Sequence, residues 1–287
     1  MAERVRIARH VLVARHVLAE NPLNLVALAL LALLLGAAVL GDALAPFDPL
    51  ATNTAIALQP PTAEHWFGTD QLGRDILSRV IVATRLDLAI AAGAVLISLS
   101  IGAVVGAAMG YFGGFLDRSV GRAVDVLMAF PLFVLAMGVV AALGNSVSSV
   151  VYATAVINLP FYIRLARAEV GVRRNLGYVE AARVGGSSHA RILRVFLLPN
   201  ILGPLVVQAS LNLGWAVLNA AGLSFIGLGV RAPTPEWGIM VAEGAQFIVG
   251  GQWWLALFPG LALMLAVFCF NLLGDGLRDI LDPRSRT

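Results

Sequence analysis

The feature that most constrains this chain is a set of stretches that carry no charged residue: 21–41, 88–116, 126–163, 195–230 and 244–274. A helix needs roughly 20 mainly apolar residues to cross the hydrocarbon core of a bilayer. Every one of these runs is long enough. Composition agrees: 59% of the 287 residues are hydrophobic and 13% are charged, against about a quarter charged in soluble domains. The run 126–163 has room for two spans, and "GNSVSS" at 144–149 is a turn-type cluster at which to divide it. The expected fold class is therefore all-α and polytopic. Its six transmembrane helices are placed near 23–43, 88–113, 121–143, 147–164, 201–222 and 254–274.

Arginine placement orients these spans, because basic residues accumulate in cytoplasmic segments. All twenty basic residues are arginines. With the N-terminus inside, sixteen fall in cytoplasmic segments and four (Arg74, Arg79, Arg85 and Arg231) fall outside. Both termini are then cytoplasmic. The organisation reads as a cytoplasmic segment 1–22, a first span 23–43 and an extracytoplasmic segment 44–87. A core of five spans follows over 88–274, with a cytoplasmic loop at 165–200, and a cytoplasmic tail at 275–287. Arginines before an apolar run, with "ALA" at 43–45, imitate a secretory signal. The run exceeds the 7–15 residues of a signal core, so an uncleaved span is expected. The net charge of +3 is too small to argue for nucleic acid.

The cytoplasmic loop carries a polar island, "EAARVGGSSHARILRVFLLPN" at 180–200. It reads as helix, glycine bend, helix. Ser187 or Ser188 is the candidate cap, and Ile192, Leu193, Val195 and Phe196 share a face. Pro199 is expected to end the second helix before the next span. Such an amphipathic pair suits headgroups or a groove on a partner.

Other features are weaker. "GTDQLGRD" at 68–75 offers Asp70 and Asp75, too few carboxylates for a cation site and better read as partners of Arg74 or Arg79. Trp237, in "RAPTPEWG", is a candidate interfacial anchor. Gln208, Asn212, Trp215 and Asn219, spaced by four, three and four, share one face of the fifth span. They read either as interhelical hydrogen-bonding groups or as the wall of a translocation path. Cys269 is alone, so no intrachain disulfide or cysteine metal site is possible. The histidines, His10, His16, His65 and His189, fall outside the expected spans. No HExxH and no phosphate-binding GxxxxGK[ST] occurs. An intramembrane enzyme therefore lacks its chemistry, and no clear internal repeat supports a secondary transporter.

"EAA" at 180–182, Gly186 six residues after the glutamate, Ile192 and "LPN" at 198–200 resemble the EAA motif of ABC importer permeases. The likeness sharpens at "HWFGTDQLGRDILSRVIVATRLDL" (65–88), "LSFIGLGVRAPTPEWGIMVAEG" (223–244) and "NPLNLVALALLALLLGAAVLGDALAPFDP" (21–49). These resemble the C-type, second permease of the dipeptide/oligopeptide/nickel subfamily. The resemblance implies the type I importer permease fold in an inner membrane. It implies transport of di- or oligopeptides, with no catalytic residue, cofactor or metal in this chain. Its partners would be a homologous permease subunit, two ATP-binding subunits and an extracytoplasmic solute-binding protein. Glu180, Ala181, Ala182, Gly186, Ile192 and Pro199 would couple to the ATPase. The family often has histidine where Phe196 stands here.

Overall fold

The computed structural model describes residues 22–281, and these are almost entirely helical. The segments 1–21 and 282–287 lie outside the described residues, and with them the arginines that weigh most in the expected orientation of the termini. Helix α1 spans Pro22–Leu44, α2 Ile76–Phe112, α3 Gly114–Ala129, α4 Leu132–Leu143 and α5 Val147–Arg173. Helix α6 spans Gly177–Val184, α7 His189–Phe225, α8 Trp237–Ala245 and α9 Trp254–Leu281.

Local chemistry sets the ends of these helices. Asp75 caps α2, accepting from the Ser78 amide at 2.8 Å and the Ser78 hydroxyl at 2.7 Å. Ser146 caps α5 at the division expected between the third and fourth spans. Glu236 caps α8, accepting from the amides of Gly238 and Ile239. Packing is closest between α2 and α5. Gly102, Gly106 and Gly110 form a small-residue stripe that lets the two backbones meet; a Cβ on Gly106 would lie 2.3 Å from the Ile163 carbonyl oxygen. Helix α1 packs against α2 and α9, with the buried Cys269 thiol 3.6 Å from the Ala27 carbonyl.

Four expectations need correction. The span placed at 121–143 is two helices, α3 and α4, bent by 95° at their junction. Pro131 cannot donate to a continuing ladder, and it biases Phe130 to the extended backbone found there (φ −81°, ψ 144°). Helix α4, with 12 residues, is about 18 Å long, short of the ~30 Å hydrocarbon core. Second, Pro199 does not end a helix, since α7 runs unbroken from His189 to Phe225. Third, Trp237 is not an interfacial anchor. It is buried, and its indole N–H donates to the Val80 carbonyl at 3.0 Å. Fourth, among the described residues Asp75 pairs with no arginine; its ionisable partner is His65, at 2.9 Å. Helix α2 also begins twelve residues before the expected span, as the cap at Asp75 dictates.

Candidate functional site

The polar island folds as a bend held by its own backbone. Helix α6 closes with the Ser187 amide on the Ala182 carbonyl and the Gly186 amide on the Arg183 carbonyl. This is the paired-bond ending that requires a left-handed residue, and Gly186 supplies it with φ +76°. Ser188 then caps α7 by accepting from the Arg191 amide. One face of α6 is tied down: Val179 packs in the same buried cluster as Ile192, Leu197 and Val170. Glu180, Ala181 and Arg183 face outward, and no ion pair joins Glu180 to Arg183 among the described residues.

Around Glu180 lies an apolar surface that this chain leaves uncovered. Val184 is 90% exposed and Val172 73%, with Leu176 and Tyr178 also exposed. Large apolar side chains left exposed on one short segment suit contact with a partner when they adjoin. Of the residues singled out for coupling, Glu180, Ala181, Ala182 and Gly186 are brought together on α6 and its bend. Ile192 is instead fully buried beneath α6 and serves as its anchor. Pro199 is exposed on α7, beyond the bend.

The start of α7 explains "LPN". Residues Ile192–Leu197 form a π turn, in which the Leu198 amide reaches back five residues to the Leu193 carbonyl. Pro199 has no N–H and would crowd the carbonyl four residues earlier, so the wider turn accommodates it. The Asn200 side chain donates to the Phe196 carbonyl at 2.6 Å. The wider turn also rearranges the expected face. Ile192 and Leu197, five apart, are buried, while Val195 points outward. One neighbour had no sequence signal: Tyr111, at the C-terminal end of α2, bonds His189 Nδ1 at 2.8 Å and meets its ring edge-on.

The polar stripe divides. Gln208 donates to Asn212 Oδ1 at 2.9 Å, and Asn212 is buried beside the Tyr162 hydroxyl of α5. Asn219 donates to the Trp215 carbonyl of its own helix, and the Trp215 side chain is 63% exposed. Trp215 is thus open in this chain, Gln208 and Asn219 are half-buried, and Asn212 is packed between helices.

The segment before α2, the start of α2 and α8 carry a buried ionic cluster. Arg74 meets Asp70 at 2.6 Å and Glu243 at 3.5 Å, and Arg79 lies 3.7 Å from Asp70 and 3.8 Å from Glu243. This ties the segment before α2 to α8, as the structural reading of Asp70 expected. Among the described residues no group of His, Cys, Asp and Glu is arranged to hold a metal ion.

A polytopic helical subunit with an uncovered helix–bend–helix between two long apolar helices defines a class of membrane transport component, and the comparisons place the chain in it. Residues 102–287 match the binding-protein-dependent transport system inner membrane component family, and the chain belongs to that family. Residues 13–61 match the N-terminal TM domain of oligopeptide transport permease C. The chain is 42% identical to the probable D,D-dipeptide transport system permease protein DdpC of Escherichia coli (strain K12), over 92% of this chain and 89% of that one. It is 41% identical to the dipeptide transport system permease protein DppC of Alkalihalophilus pseudofirmus, over 94% and 88%. It is 43% identical to the glutathione transport system permease protein GsiD of Pectobacterium atrosepticum, over 79% and 75%.

Proposed function

We propose that this chain is one of two homologous membrane subunits of an ATP-driven importer for short peptides. The observation that carries the reading is α6: a short helix anchored from below by Val179 and Ile192, with Glu180 and Ala181 outward and exposed apolar residues around them. That surface fits a groove on a cytoplasmic ATP-binding subunit. The chain has no nucleotide-binding motif of its own, so the energy comes from that partner. Nucleotide-driven movement of the ATPases would displace α6 and tilt α7, switching the spans between inward- and outward-open states. Gln208, Trp215 and Asn219 would wall the path, with Asn212 bracing them against α5. Both termini would lie in the cytoplasm and the 44–75 and 226–253 segments outside, where an extracytoplasmic binding protein delivers solute. Relatives named for dipeptide, D,D-dipeptide and glutathione transport support small peptides as the solute class.

The test is to purify the chain from membranes that express its whole operon and assay what accompanies it. An ATPase should co-purify and be stimulated by peptide-loaded binding protein in liposomes. Glu180→Arg should insert normally yet lose most of the bound ATPase. Undiminished ATPase retention and transport in Glu180→Arg would remove α6 from the coupling role.

A further inference from the structure

Two carboxyl groups outside the polar island meet with almost no solvent. Asp87 on α2 is 1% exposed, and Glu236, the cap of α8, is 0% exposed. Both lie on the extracytoplasmic side of the expected second span, which starts at residue 88. Glu236 spends its two oxygens on the amides of Gly238 and Ile239, at 2.9 and 2.8 Å. Asp87 Oδ2 accepts from the Trp237 amide at 3.2 Å. Asp87 Oδ1 is buried with no donor among the protein groups, and it belongs to a carboxyl that interacts directly with Glu236.

The surroundings offer no positive charge to separate the two acids. From α7 the group facing Glu236 is the Ser224 hydroxyl, itself neutral. From α2 the neighbours on the buried face are Ala83, Thr84, Ile90 and Ala91. Arg85 is exposed and lines a cleft with Asp42, Thr234 and Pro235. Arg74 and Arg79 are committed to Asp70 and Glu243. No ion pair reaches Asp87 or Glu236 from any described element. Two carboxylates in contact without a cation cannot both ionise. One proton satisfies both: it occupies Asp87 Oδ1 and is donated toward Glu236.

We propose that Asp87 and Glu236 form a proton-binding site that latches α8 and the loop before it onto α2, so that the extracytoplasmic face is held while the proton is bound and loosens when it is lost. The latch acts where it matters for packing. Between the two acids, Trp237 is fixed to Val80, Gly238 sits on the Ala221 backbone of α7, and Ile239 enters the apolar cluster shared by α4, α5 and α7. Losing the proton would put two negative charges in this cluster and repel α8 from α2.

The sign follows from burial, which holds the Glu236 carboxyl above its usual range. The proton-bound pair is the folded form. Its contribution is complete below the ordinary carboxylate range, declines as pH rises above that range, and is fully lost once pH passes the raised pKa of the pair. The shared proton belongs to the pair rather than to either residue alone.

The experiment compares hydrogen exchange over residues 237–245 in the assembled complex, wild type against Asp87→Asn, from about pH 4 to about pH 9. The asparagine amide donates to Glu236 as the shared proton does, and it cannot titrate. Taking the ratio of wild-type to variant exchange cancels the intrinsic base catalysis of exchange. The ratio should stay near one within the ordinary carboxylate range, rise by up to about tenfold per pH unit above it, and level off once pH passes the raised pKa of the pair. A ratio flat across the whole range overturns the proposal. If Asp87→Asn fails to assemble, Asp87→Ser supplies a smaller donor without a titratable group and is read in the same way. Asp87→Leu, which donates nothing, should exchange faster than wild type at low pH. Equal low-pH protection in Asp87→Leu and wild type also overturns the latch.

Discussion

Arg79, in the first turn of α2, is 1% exposed and lies close to two carboxylates, Asp70 and Glu243. Removing one member of such a buried group leaves the others uncompensated, at a cost of about 3–5 kcal/mol. Arg79→Leu should therefore lower the thermal unfolding temperature of the purified complex by several degrees, while an exposed arginine such as Arg85 changed to leucine should not. An equal, small effect at both positions would show that the cluster contributes nothing to stability. At this scale the sequence was partly legible. "GTDQLGRD" announced ion pairs among Asp70, Arg74 and Arg79, but Asp75 went to His65, ten residues away along an irregular loop. Periodicity does not specify irregular backbone, so it could not supply that pairing. Asp87 and Glu236, 149 positions apart in sequence, gave no local sign of meeting.

Among the helices, the α2–α5 contact depends on absent side chains. At Gly106 a Cβ would stand 2.3 Å from the Ile163 carbonyl and 2.9 Å from the Ala166 methyl. Gly106→Leu should separate the two helices and cost about 1–3 kcal/mol or more, because neither backbone can move without its neighbours. Thermal unfolding and retention of the complex in detergent measure it. Unchanged stability would mean that the stripe is incidental. Helix existence was legible wherever a long apolar run stood between turn residues, as at Ser146 and Gly144. Two features were not. A proline reads as a stop, yet Pro131 bends the chain by 95° while Pro199 lets α7 continue, because the π turn and the Asn200 side chain absorb its missing bond. The difference lies in what satisfies the freed carbonyls, and that depends on tertiary surroundings.

At the scale of the whole molecule the reading rests on orientation. In a Cys269→Ala background, an impermeant thiol reagent outside spheroplasts should label Thr234→Cys and spare Ser187→Cys. Labelling of the cysteine at 187 from outside would invert the topology and remove α6 from any cytoplasmic partner. The expected assembly also explains why so much apolar surface stays uncovered. Helix α3 buries only Val124 and leaves Phe115 and Val126 exposed, a face for lipid or for the homologous subunit. The overall class was legible from charge-free runs and arginine bias, since both follow from the bilayer. The split of the polar stripe, with Asn212 inside and Trp215 outside, was not legible, because helical spacing gives a face without saying what stands opposite it.

The unbroken course of α7 has a mechanical meaning. From the π turn at Ile192–Leu197 to its end at Phe225, the helix extends about 45 Å in one piece. A rigid rod pivoted near one end multiplies displacement along its length. A tilt of ~10° at the pivot carries the far end roughly 8 Å, on the rise of 1.5 Å per residue. The short arm would be the α6 bend, with Val179 packed in the same cluster as Ile192, and the long arm bears Trp215 and Asn219. If α6 couples as proposed, a small push at that end of the rod would become a displacement several times larger at the other.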